Sequence, residues 1–362
     1  MGHVAQLGAV ALAIGLAGCS SSATAVPTAV PTAVPTAVPT AVATIGSSPT
    51  PALAVAPDSI HLVMIGGALS DPGLIALQNG AYLEAKTLGV HFQVLGSPTE
   101  YSPETQVPIV NAELANKPTV LIVGPTDAVA LYEPLAAYAQ AGIKIVTFDS
   151  TLSNRDIVTS EVYADNVQAG AAAADAAGQL CNGKGQTFVM STDAGTTTVD
   201  NRTSGYINEI KAKFPGMTLL DTLYDHNSPT TASTLTQSAI LANPGLCAIY
   251  GLNSGSGEGV GAGIAASPGA TGKVFGVAND ATPSEQASIT SGALSVLVVQ
   301  PLAVEGADAV DQAYYIAEGQ TSLVQSTILL PPSQLITKAN IADPATQPLL
   351  GTTNLNTQGV TP

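Results

Sequence analysis

Basic residues are scarce in this chain: 10 lysines and arginines stand against 26 aspartates and glutamates, a formal net charge of −16 over 362 residues. Such a chain repels phosphate backbones and anionic lipid faces, which argues against nucleic acid and against electrostatic attachment to a membrane. Histidine is rarer still. His3, His61, His91 and His226 are scattered with no pair at ligand spacing, and Cys19, Cys181 and Cys247 are too far apart for a zinc knuckle, so no metal site is implied. No G-x-S-x-G elbow occurs, which argues against an acyl-transfer hydrolase. Beyond residues 4–17 there is no apolar run of membrane-spanning length, so nothing here is a channel.

The one apolar run is too short to span and stop, and reads as the h-region of a secretory signal. Its end, Leu16-Ala17-Gly18-Cys19, resembles the lipobox of bacterial lipoproteins, in which the cysteine sulfur is acylated. The n-region MGHVAQ departs from the pattern because it carries no Lys or Arg. Residues 1–18 are therefore expected to be a signal peptide and Cys19 a lipid attachment site. Residues 20–57 hold no charge of either sign, and Pro recurs every fourth residue from Pro27 to Pro39. Proline at that density forbids helix and removes ladder donors, so residues 19–57 read as an extended tether.

The remaining body of about 285 residues is too large for one lobe and suits two. Apolar runs at 61–67, 91–96, 119–125 and 144–150 alternate with helical patterns at 72–89, 103–117 and 129–142. After a break at NRDIVTSEVYAD the rhythm restarts with strands at 186–192, 218–225, 247–253, 273–279 and 294–300. Near-continuous apolar strands separated by helices predict two doubly wound parallel α/β lobes, in which ligands sit beyond the carboxyl ends of the strands. The residues there are polar: Ser70 and Asp71, Asp149, Asn253, Asp280 and Gln300. Arg202, one of two arginines, opens the helix after QTFVMSTDAG. Each alone reads as a helix cap or loop filler, but groups that donate and accept in pairs, drawn from both lobes, suit a polyhydroxylated ligand.

The segments SDP (70–72), VTFDS (146–150), YADNVQAG (163–170), DNRTSGY (200–206), YDHNSPTTA (224–232), YGLNSGSGEG (250–259), NDATPSEQASITSG (279–292) and VLVVQPLAVEG (296–306) carry a resemblance. Residues 58 to 340 resemble the periplasmic sugar-binding proteins of the ribose- and galactose-binding type, the substrate-capturing components of ABC importers. The resemblance implies the type I periplasmic binding protein fold, no enzymatic activity and no cofactor. It places ligand contacts on Asp71, Asp149, Arg202, Asn227, Asn253, Asp280 and Gln300, with Ser70, Tyr101 and Ser150 as secondary candidates. Partners would be a monosaccharide or small polyol, ABC permease subunits, and a membrane reached through the lipid anchor. Where the ribose-binding branch has two stacking aromatics this chain has Gly73 and Leu74, and Ser150 replaces an arginine. The segment GSPTEYSPETQ (96–106) is similar to the branch that binds rhamnose or autoinducer-2, so Tyr101 supplies the aromatic face there. The resemblance also implies three crossings between lobes near Ala164, Pro301 and Leu330. The N-terminal lobe is then 58–164 plus 301–329, the C-terminal lobe 165–300 plus 330–342, and 343–362 a disordered tail.

Two other functions fit parts of the sequence. A receptor-coupled sensor of a sugar or autoinducer-2-like ligand would use the same fold. A secreted nicotinamide oxidoreductase would use GEGVGA (257–262), which matches a dinucleotide fingerprint with Asp280 downstream, but it follows the third strand of its lobe rather than the first. Finally, export and acylation of Cys19 would leave Cys181 and Cys247 as an even pair, near neighbours in a 2-1-3 strand order. A disulfide is expected, with two buried free thiols as the alternative.

Overall fold

The computed structural model describes residues 59–350. The expected signal peptide, Cys19 and the tether lie outside the described residues, as do positions 351–362. The first part of the chain gives β1 (His61–Ala68), α1 (Pro72–Leu88), β2 (His91–Ser97), α2 (Pro103–Glu113), β3 (Val120–Val123), α3 (Tyr132–Gln140), β4 (Lys144–Phe148) and β5 (Ser160–Tyr163). There follow α4 (Asn166–Leu180), β6 (Gly185–Ser191), α5 (Thr197–Lys213), β7 (Met217–Leu219), β8 (Leu223–Tyr224), α6 (Pro229–Ala242), β9 (Leu246–Gly251), α7 (Ser254–Ala266), β10 (Phe275–Asn279), α8 (Pro283–Ser291) and β11 (Leu294–Val299). The last elements are α9 (Leu302–Ala317), β12 (Thr327–Leu329) and β13 (Gln334–Ile336).

These strands form two sheets, β12-β5-β4-β3-β1-β2 and β13-β11-β10-β9-β6-β7, with β8 also on β6. All pairs are parallel except β13 with β11, which runs antiparallel at an edge. The apolar run VLIV of β3 is buried along its whole length, as a strand covered on both faces must be. Each sheet separates two apolar clusters. Met64, Ile122, Phe148 and Val310 pack on one face of the first sheet, and Val63, Leu121, Leu135 and Tyr138 on the other. The chain passes between sheets after β5, after β11 and between β12 and β13.

Helices cross at glycines where the backbones nearly touch. A Cβ on Gly80 of α1 would lie 1.8 Å from the Ala303 carbonyl oxygen of α9, and one on Gly306 would lie 1.9 Å from that of Leu77. In the second lobe, Gly170 of α4 meets the Arg202 carbonyl at 2.1 Å in the same sense. Gly257 and Gly259, the core of the apparent dinucleotide fingerprint, lie inside α7. Cβ atoms there would strike Ala278 and Ala232, so these glycines seat the helix on its neighbours.

Several expectations need correction. The strand read at 218–225 is two short ones, β7 pairing Gly185–Thr187 and β8 pairing Met190–Ser191, because the chain steps along β6 between them. The break at NRDIVTSEVYAD contains β5. The helix read from 129 starts at Tyr132, since Asp127 Oδ1 accepts from the Val129 and Ala130 amides and holds that stretch as a turn. The tail expected to be disordered from 343 continues as packed structure to the end of the described residues. Leu350 is buried against the second core, and Gln286 Nε2 donates to its carbonyl at 3.1 Å. The Cys181–Cys247 disulfide is present, with Cα atoms 5.9 Å apart.

Candidate functional site

The carboxyl ends of both sheets face each other across a cleft, and the polar residues that follow the strands meet there. A cavity of about 50 Å³ lies between them. It is lined by Asp71, Asp149, Arg202, Asn253, Asp280 and Gln300, six of the seven expected contacts. Asn227 stands behind this set, donating to Asp71 Oδ2 at 3.2 Å and accepting from Asn253 Nδ2 at 2.7 Å. Among the secondary candidates Tyr101 lines the cavity. Ser150 is buried beside it and bonds Thr198 Oγ1 at 2.8 Å, while Ser70 is exposed and does not line it.

Local structure decides what each group is free to do. Asp71 and Asn253 are N-caps of α1 and α7, so their side chains accept backbone amides as well as facing the cleft. Asp149 and Asp280 are not the N-cap residues of the helices that follow their strands, although Asp280 accepts the first amide of α7. Both sit in the left-handed region, at φ 56° and 74°, which turns the carboxylates away from the strand line. Asp280 Oδ2 accepts from the Ser254 amide at 3.1 Å and Oδ1 from Gln300 Nε2 at 3.3 Å. Asp149 Oδ2 accepts from Thr198 Oγ1 at 3.3 Å. Arg202 is 2% exposed; its Nε donates to Asn166 Oδ1 at 2.8 Å and its Nη1 to the Leu252 carbonyl at 2.9 Å. Its buried Nη2 has no partner among the described residues.

Burial dominates the electrostatics. It pushes the Asp280 carboxyl up to about 6, with Asp71 and Asp149 adding to the shift and Arg202 opposing it. Asp149 is raised by burial too, again against Arg202. Three carboxylates around one guanidinium thus repel one another, and each has reason to seek a donor. Hydroxyl groups of a ligand would supply such donors.

The sequence reading missed several residues. Thr192, Thr196, Thr198 and Ser254 also line the cavity or its wall. The first three follow β6 as the other site residues follow their strands, so the signal was available. Glu305 had no such signal, being a lone acid in the apolar start of α9. It is fully buried, its Oε1 accepts the Asp149 amide at 2.6 Å, and burial raises its carboxyl well above the usual range. It props the loop that presents Asp149.

The lobes touch directly at the rim. Ser254 Oγ donates to Asp71 Oδ1 at 3.0 Å, Thr196 Oγ1 to the Thr126 carbonyl at 2.6 Å, and the Thr151 amide to Thr197 Oγ1 at 3.0 Å. No group of acids, histidines and cysteines among the described residues could hold a metal ion, and no described helix is long and apolar enough to cross a membrane.

Comparison with known proteins bears on this arrangement. Residues 62–321 match the family model described as periplasmic binding protein domain. The ribose import binding protein of Salmonella typhimurium is 26% identical over 275 residues, 76% of this chain and 90% of that one. The D-allose-binding periplasmic protein of Escherichia coli is 28% identical over 247 residues, 66% of this chain and 78% of that one. Among solved structures, an ABC transporter solute binding protein from Agrobacterium vitis with bound α-D-tagatopyranose superposes with a TM-score of 0.77 at 30% identity, over 80% of this chain and 99% of that one. Two parallel-sheet lobes, a polar cleft at the strand ends and a family match spanning both lobes agree, and the chain belongs to the periplasmic binding protein domain family.

Proposed function

We propose that the protein captures a monosaccharide or small polyol between its lobes and delivers it to the permease of an ABC importer. The observation that carries this reading is the convergence of Asp71 and Asp149 from one lobe with Arg202, Asn253, Asp280 and Gln300 from the other around one cavity, with Arg202 Nη2 unpartnered. Asp149 and Asp280 accept from sugar hydroxyls, Arg202 donates to a ring or hydroxyl oxygen, and Tyr101 offers an apolar ring face. A cavity of about 50 Å³ has room for a few waters, so a sugar requires the lobes to stand further apart than they do in this closed arrangement. The relatives named for ribose and D-allose and the neighbour holding tagatose support a sugar as the ligand. The lipobox at Cys19 supports anchoring of the mature chain to the outer face of the cell membrane through a tether of residues 19–57.

A thermal-shift screen against pentoses, hexoses, deoxysugars, polyols and autoinducer-2 tests the reading. A ligand that binds only the folded state adds about 2.7 kcal/mol at a hundredfold excess over its dissociation constant. A clear rise with one sugar class is the expected result. No rise with any member would overturn sugar capture.

A further inference from the structure

Beside the first cavity lies a larger one of about 320 Å³, and the two share Tyr101, Thr192 and Thr196 as a common wall. It too is built from both lobes, with Glu104 and Asp127 on one side and Asp193 on the other. Its volume falls at the lower end of the range for small-molecule sites, whereas the first cavity is far below it. The polar atoms left over here are acceptors. Asp127 uses Oδ1 on two amides and Asp193 uses Oδ1 on His226, while the second oxygen of each and both oxygens of Glu104 accept no hydrogen bond among the described residues. The Thr192 hydroxyl has only a 3.3 Å contact to the neighbouring Asp193 carbonyl. A pocket rich in free acceptors, continuous with a sugar site and edged by an aromatic ring, matches an occupant that brings many hydroxyl donors.

We propose that this second cavity is a subsite for a second sugar ring, so that the protein takes a short oligosaccharide whose terminal residue occupies the first cavity. The inference rests on the sugar-binding reading above. One ring sits among Asp149, Arg202 and Asp280, the glycosidic link passes Thr192 and Thr196, and the second ring donates to Glu104, Asp127 and Asp193. Asn227 lines the second cavity and donates to Asp71 of the first, so the two cavities share one hydrogen-bonded wall.

Isothermal titration with four matched pairs tests this: glucose and cellobiose, galactose and galactobiose, xylose and xylobiose, arabinose and arabinobiose. In at least one pair the disaccharide is expected to bind tenfold or more tightly than its monosaccharide. Ala194 is exposed, lines the second cavity and does not line the first. Ala194→Trp should therefore abolish the disaccharide gain and leave the monosaccharide within twofold of the wild type. A disaccharide no tighter than its monosaccharide would make the cavity an entry path only, and would overturn the subsite while leaving sugar capture intact. A gain that survives Ala194→Trp would overturn it equally. Absence of binding by every saccharide of both lengths would remove the subsite together with the sugar-binding reading.

Discussion

Asp280 illustrates how a single site residue opposes the stability of the fold that holds it. Its carboxyl ordinarily titrates at 3.8 and here is pushed up to about 6, chiefly by burial; Asp225, buried beneath Ser256, behaves alike. Between about pH 4 and 6 the native state keeps these protons while the unfolded chain has released them, so the native state binds more protons and stability falls as pH rises through that window. The empty protein should therefore melt at a higher temperature at pH 5 than at pH 7, and Asp280→Asn should flatten part of that difference while weakening sugar binding. Scanning fluorimetry at the two pH values checks this; an unchanged slope in the variant would refute it. Arg202 differs, because its Nε and Nη1 hold Asn166 and Leu252. Arg202→Ala should lower affinity ten- to a hundredfold, equivalent to about 1.5–3 kcal/mol for a lost charged hydrogen bond, and lower the melting temperature as well. Asp149→Asn, which removes no cap, should lower affinity by at least tenfold without lowering the melting temperature. Calorimetry beside fluorimetry separates the two behaviours. Cleft residues of this kind were legible in the sequence because the groups that follow parallel strands gather at one end of the sheet. Glu305 was not, since its role is to hold a backbone amide and nothing in an apolar helix start announces that.

At the level of elements, the position of Arg202 depends on a crossing of two helices. α4 and α5 approach so closely at Gly170 and Gly205 that a Cβ at Gly205 would lie 2.2 Å from the Val167 carbonyl. Any side chain there must push α5 outward, and Arg202 with it. Gly170→Ala should thus weaken ligand binding and lower the melting temperature together, although the residue faces no ligand. Affinity unchanged in a folded Gly170→Ala protein would show that the crossing does not position the site. The alternation of buried strands and helices made most elements readable in advance. The misses have physical causes: β5 and β12 are short edge-side strands of mixed polarity, and β7 and β8 divide one apolar run because their partner β6 is shared. Residues 343–350 were misread because Pro, Thr and Gln between 343 and 348 resemble a loose tail, while Ile341, Leu349 and Leu350 supply the contacts that fix this stretch.

On the scale of the molecule, the second lobe carries a covalent staple and the first does not. The Cys181–Cys247 link closes a separation of 66 residues at the sheet end away from the cleft, worth about 4 kcal/mol by chain entropy. Reduction should lower the melting temperature markedly and leave the dissociation constant of any sugar nearly unchanged; a parallel loss of affinity would mean the staple also shapes the site. The three passages of the chain have another effect. The first sheet gains its edge strand β12 and its covering helix α9 from residues past 301, and the second gains β13 from residues past 333. A chain emerging from its N-terminus would expose Leu77 and the glycine face of α1 until α9 arrived. Neither half can finish first, so the order of synthesis offers no early folded domain. The core of the first lobe therefore closes only once α9 has been made, and completion of nearly the whole chain is the step that commits it to its fold.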